Sequence, residues 1–246
     1  MQPSLARSVG VLAVAITSLV VVGAPPGAAS AGLTGKSAQQ VVAISVAAAK
    51  AKGSAHFAEA GRFGGPSGRI TLDQSRAEGK EVDSGFSNGT DVTLLFIKGV
   101  LYLDATARSL TNAGFSAAQA SAYAGKWISF SPGDKEYAAL SANETLVSTL
   151  DAASPSAPLS KPVSARFDGR PVIKIVGAIN PALAPGLKGT DIVYVSAAPP
   201  YLPVAVVIKG AAGSGFDVTT TVSGWGERVS LSPPAQATPA ASILGS

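Results

Sequence analysis

The chain has 246 residues, 46% hydrophobic, 6% aromatic and 14% charged, with a formal charge of +4. The basic residues are spread without a Lys/Arg cluster or aromatic–basic interleaving, which argues against a nucleic-acid partner. Cysteine is absent and His56 is the only histidine, so thiol catalysis and a lipidated N-terminal cysteine are excluded, and no metal site or cofactor is expected.

Arg7 is the only charge before the apolar run Val9–Val22, and Ala29-Ser30-Ala31 then fits a small-x-small exit. This pattern predicts a secretory signal peptide over residues 1–31. The run is shorter than the roughly 20 residues a membrane-spanning helix needs. The alternative is an uncleaved anchor. A single domain is expected over 32–231, outside the cytoplasm, secreted or in the cell envelope, followed by a flexible Pro/Ala/Ser-rich tail over 232–246.

Lys36–Lys52 places Ala38, Val41, Val42, Ile44, Ser45, Ala48 and Ala49 at helical spacing, entered through Ser37 and ended at Gly53. Short strands follow at Ser54–Phe63, Arg69–Arg76, Glu81–Ser87, Asp91–Ile97 and Val100–Asp104, punctuated by Gly64–Gly68, Asn88-Gly89 and Lys98-Gly99. Ser116–Ala124 reads as an alanine-rich helix, Trp127–Phe130 as an extended piece, and Pro132 to about Leu150 as a helix that Asn143 interrupts. Strands resume over Val163–Val176, Ile192–Ala197, Tyr201–Ile208, Phe216–Val222 and Arg228–Leu231. In Phe216–Val222 apolar and polar residues alternate, with Thr220 the one polar residue on the apolar face. Tyr201–Ile208 is apolar on both faces and therefore requires cover on both sides.

Consecutive hairpins imply an antiparallel sheet, and about ten strands cannot stay flat. The expected fold is α+β, a strongly curved antiparallel sheet with helices packed on its concave face.

Catalytic chemistry is poorly served. His56 lies in a predicted strand with no Gly-x-Ser-x-Gly nucleophile elbow to use it. The acids Asp91, Asp134, Asp168 and Asp191 sit next to turn residues, where solvated turns explain them. Gly210–Gly215 has the spacing of a hairpin loop, not of a dinucleotide fingerprint. No enzyme is expected. What remains is apolar surface in excess of a half-wet sheet. Either helices fill the concave face completely, or a cavity is left for a ligand; helices rich in alanine favour the cavity.

Residues along the whole domain resemble the LppX/LprG-type actinobacterial lipoproteins. They are the Ser37–Val42 helix start, Gly99-Val100-Leu101-Tyr102 followed by Gly125-Lys126-Trp127-Ile128, and Pro200–Val207 followed by Val222–Glu227 and Pro233-Pro234. The resemblance implies a LolA-like incomplete barrel whose hydrophobic cavity carries acylated lipids. The family's lipidated cysteine has no counterpart here.

The expected function is non-enzymatic binding or carriage of a lipid or other amphiphile, with a membrane surface or envelope protein as a further partner. The alternative is an envelope sensor or protein-interaction module of the same fold with a collapsed cavity. Candidate lining residues are Val42, Leu94, Phe96, Leu103, Trp127, Phe130, Leu146, Leu150, Val204, Val206 and Val218.

Overall fold

The structure, a computed structural model, describes residues 32–33 and 35–244. The expected signal peptide, residues 1–31, lies outside the described residues. Helix α1 (Ala38–Lys52) starts where the sequence places its cap. The Ser37 hydroxyl accepts from the Gln40 N–H at 3.3 Å, and the Gln40 side chain accepts from the Ser37 N–H at 2.9 Å. This reciprocal pair satisfies two of the donors a helix start leaves open. Gly53 ends α1 at φ 83°, a left-handed conformation that costs glycine little. Lys50, in the last turn, reaches Asp151 at 2.6 Å.

A meander follows: β1 (Ser54–Phe63), β2 (Ser67–Ser75), β3 (Glu78–Ser84), β4 (Val92–Ile97) and β5 (Val100–Ala105). Two short helices, α2 (Ala107–Asn112) and α3 (Ala117–Tyr123), precede β6 (Ile128–Phe130). The helix expected from Pro132 to Leu150 is instead two pieces, α4 (Tyr137–Leu140) and α5 (Leu146–Ala152). The break falls at Asn143, whose carbonyl accepts from Gln74 Nε2 at 2.7 Å and Thr149 Oγ1 at 2.8 Å. Those bonds compete with helix continuation, and Thr145 caps a new start. A second meander comprises β7 (Val163–Phe167), β8 (Arg170–Ala178), β9 (Gly189–Ser196), β10 (Pro203–Gly210) and β11 (Phe216–Ser223).

β11 pairs antiparallel with β1, so the two meanders join into one curved, unclosed sheet of twelve strands in the order β12-β6-β5-β4-β3-β2-β1-β11-β10-β9-β8-β7, where β12 is Thr238–Pro239. The fold is therefore α+β, as expected. Register fixes which side chains share a face. Val222, Phe57, Leu72, Glu81, Leu94, Leu103 and Ile128 form one row across the adjacent strands from β11 to β6, and all are buried. This is the concave face, and the helices pack on it. α1 and α5 cover the half built from β1, β2 and β8–β11. Helices α2, α3 and α6 (Ala240–Leu244) cover β4–β6.

Two expectations need correction. Arg228–Leu231 is not a strand. The tail expected to be flexible instead ends in β12, paired in parallel with β6, and in α6, whose Ala240 is fully buried and whose Ile243 carbonyl accepts from Gln119 Nε2. An edge strand with unpaired backbone groups is a ready template for such a segment. The outer face of β10, which the sequence left without identified cover, receives it from cross-strand neighbours. Ala205 is buried between Tyr194 and Thr221, and Val207 is half-buried between Ile192 and Thr219.

Candidate functional site: an apolar cavity under helix α1

Between α1, α5 and the concave face lies a partly open cavity of about 640 Å³. Its floor is the sheet: Phe57 and Phe63 of β1, Ile70 of β2, Val193 of β9, Val206 and Ile208 of β10, and Val218 and Val222 of β11. α1 contributes Val42, Ser45 and Val46, which the i, i+3, i+4 spacing sets on one stripe. The remaining wall mixes short side chains, Ala139 and Ala142 before α5, Ala153 after it and Ala182 and Ala184 in the β8–β9 loop, with Leu150 of α5 and Leu183 and Leu187 of that loop. At one end of the floor an aromatic cluster is anchored by close approach. Phe86 stacks over Gly68, where any Cβ would collide with the ring, and Phe63 meets both Phe86 and Phe216 edge-on at 5.9 Å.

Volume decides what such a space can be. Core-truncation costs of about 24 cal/mol per Å³ put an unoccupied void of this size at about 15 kcal/mol. That is the scale of an entire domain's stability, about 5–15 kcal/mol. The cavity is therefore a solvent- or ligand-accessible space, and its size falls in the roughly 300–1,000 Å³ of small-molecule sites.

Of the residues expected from sequence to line a cavity, the structure brings Val42, Leu150, Val206 and Val218 together around this one. The others lie elsewhere. Leu94, Leu103 and Phe130 are buried in the core under α2 and α3, with Phe96 packed at its margin. Leu146 faces the same half as the cavity but is wholly enclosed by the core of α5, β1 and β2. Trp127 precedes β6 and borders a shallow groove with the segment Pro234–Thr238. Val204 falls at a bulge between Pro203 and Ala205, and this extra residue turns Pro203 rather than Val204 into the lining. Missed by sequence reasoning were Phe57, Phe63 and Ile70, whose inward period was readable, and the Ala182–Leu187 loop, which carries no periodic signal.

Polar groups are few. Asn143, Thr149 and Ser154 reach the lining, but the Thr149 and Ser154 hydroxyls donate to the carbonyls of Asn143 and Leu150. Glu59 of β1 lies directly opposite Thr220 of β11, and both line the cavity, as does Ser45. Asp191 stands beside the cavity, not at a solvated turn as expected. It lies within β9 opposite Ile208 and Gly177, is fully buried, and neither carboxyl oxygen has a hydrogen-bond partner. Burial raises its pKa from 3.8 to about 7.

His56 is on the opposite face, half-exposed, with Nδ1 2.7 Å from Asp73 Oδ1. Among the described residues no group of three or more potential ligands is placed to hold a metal ion. No helix among them is long and apolar enough to cross a membrane.

No family model matches the chain, and no curated protein matches it. Several solved structures are similar. LprF from Mycobacterium bovis is 18% identical, with 80% of this chain and 97% of that one covered at a TM-score of 0.47. An uncharacterized conserved protein from Thermus thermophilus is 10% identical, with 82% and 97% covered at a TM-score of 0.44. At these identities and scores neither likeness assigns a ligand, and that assignment rests on the cavity of this chain.

Proposed function

We propose that this protein binds an amphiphile, its apolar chain held between α1 and the concave face, and carries it outside the cytoplasm without chemical change. The observation that carries this reading is the coexistence of a cavity of about 640 Å³ with a floor of Phe, Ile and Val side chains. Water in such a space is easily displaced, and each methylene transferred into it gains about 0.8 kcal/mol. Lining residues that give shape without directed polar contacts suit a flexible chain better than a rigid polar metabolite. Carriage outside the cytoplasm accords with the signal-peptide pattern of residues 1–31. A membrane surface or envelope protein is the natural donor or acceptor of such a ligand.

The test uses a neutral naphthylamine probe whose fluorescence rises in apolar sites, with organic extraction of the purified protein in parallel. Saturable probe binding is expected, lost in Val206→Trp, which places an indole in the cavity while leaving the β4–β6 half untouched. Absence of saturable binding together with an extract free of amphiphile would sink the proposal.

A further inference from the structure

Asp191 is the buried group that simple apolar binding leaves unused. Its cross-strand neighbours are Gly177 of β8 and Ile208 of β10, which set it on the concave face with Ile208 and, two residues along β9, with Val193. Val193 and Ile208 both line the cavity. So does Pro155, which lies over Gly177, where an added Cβ would approach it to 2.8 Å. The Asp191 carboxyl is fully buried in this wall, and neither oxygen has a hydrogen-bond partner. Folded proteins leave few buried polar atoms unpaired, and a pair of them on one carboxyl asks for a reason.

The elements around Asp191 bring it no cation. On the same face β8 presents Ile173 and Ile175 beside Gly177, β10 presents Val206 and Ile208, and β11 presents Val218. The segment Pro155–Leu159 and the β8–β9 loop up to Leu187 contain no ionisable side chain. Lys188 is exposed, and Lys174 and Lys209 alternate onto the opposite face. On α1 and its flanks, Lys50 pairs with Asp151 of α5 at 2.6 Å, Lys52 is exposed and Lys36 precedes the helix. Glu59 stands three strands away, across β10 and β11. Burial therefore acts unopposed and raises the Asp191 pKa from 3.8 to about 7.

Such a carboxyl fits its surroundings only while it is protonated. Once ionised it requires water, and the open space beside it is the cavity that Val193 and Ile208 line. Water drawn to that wall and an apolar chain lying on it compete for one place. We propose that Asp191 is a proton-operated release for the bound amphiphile: while its carboxyl is neutral the wall stays dry and the chain is held, and once it is ionised the wall takes up water and the chain is let go. This rests on the amphiphile reading and adds the regulation of its site. A bound chain keeps water from the carboxyl and so favours the protonated form. Binding therefore takes up a proton, and affinity is full at acid pH and falls as pH rises towards and past about 7.

The experiment titrates the naphthylamine probe into the protein at pH 5 and pH 8, with proton uptake on binding measured near pH 7. The probe Kd is expected to rise about threefold or more between the two pH values, with net proton uptake of the same sign. In Asp191→Asn, which keeps the shape of the neutral acid, the ratio of the two Kd values should fall to about one and the uptake should vanish. Glu59→Gln in the lining and His56→Gln on the opposite face should both keep the wild-type ratio; the second matters because histidines titrate in this range. Where Asp191→Asn does not fold, wild-type proton uptake that survives in those two variants supports the buried carboxyl as its source. A wild-type Kd independent of pH, a ratio kept in Asp191→Asn, or a ratio lost in either control variant would overturn the release while leaving the cavity reading intact. Absence of saturable probe binding at both pH values overturns the cavity reading, and the release with it.

Discussion

The concave face has two halves that are built alike and finished differently. Both are floors of inward Leu, Ile, Val and Phe from alternate positions of adjacent strands. Over β4–β6 the cover brings Leu110, Phe115 and Ala120 from α2, α3 and their flanks and Ala240 from α6, and Leu101, Leu110, Ile128 and Phe130 become fully buried. Over β1 and β9–β11 the cover brings Val42, Ser45 and Val46, Leu150, Leu183 and Leu187, and a series of alanines, and the cavity stays open. The difference lies in the cover and not in the sheet. Short side chains on the cover leave the space between it and the sheet unfilled. A void persists where solvent or ligand repays the missing contacts.

The largest expected effect tests whether the β4–β6 half is solid core. Phe130→Ala should cost about 3–5 kcal/mol in denaturant unfolding, the usual range for a large buried aromatic, with probe affinity of the folded protein unchanged. For a matched pair, Ile208→Val against the cavity should cost less than Ile128→Val in the solid half, because part of the Ile208 side chain already faces space. Equal losses at the two sites would mean that the halves are packed alike.

Asp191 gives the second effect and belongs to the cavity half. Its carboxyl is fully buried within β9, and burial raises its pKa to about 7 against an ordinary 3.8. For a raised carboxyl the folded state retains a proton that the unfolded chain has already released, so stability falls as pH rises from about 4 to about 7 and is level beyond. At 1.36 kcal/mol per pH unit the loss is on the order of 4 kcal/mol if the structure does not relax. Wild-type Tm should therefore be lower at pH 8 than at pH 5, and Asp191→Asn should flatten that profile. A variant that keeps the wild-type slope would place the titrating group elsewhere.

These contrasts mark what sequence could and could not convey. Local signals were enough for α1, with its Ser37 and Gly53 ends, and for strands set between turn dipeptides such as Asn88-Gly89. Alternation then told which side chains point inward. It did not tell which inward residues are buried by packing and which border a cavity, because that depends on cover arriving from distant parts of the chain. Leu94, Leu103 and Phe130 carry the same inward pattern as Val206 and Val218, and only α2, α3 and α6 separate their fates. α2 itself, six residues long, is too short to show a period. Val204 was lost to a bulge that resets alternation, and Asp191 looked like a turn residue only because a Pro/Gly-bearing loop ends just before it.

The smallest effect separates the halves through their helix caps. Ser37 and Ser116 form the same reciprocal capping pair, one at the start of α1 over the cavity, the other at the start of α3 over the solid core. Replacing either serine by alanine should lower stability by about 1 kcal/mol. The consequences for binding should differ. Fraying the first turn of α1 loosens Val41 and Val42, and Val42 lines the cavity, so Ser37→Ala should weaken probe binding measurably. α3 has no residue in the cavity lining, so Ser116→Ala should leave it unchanged. Equal loss of binding in both variants would mean that the probe reports global stability, and the distinction between the two covers would fail.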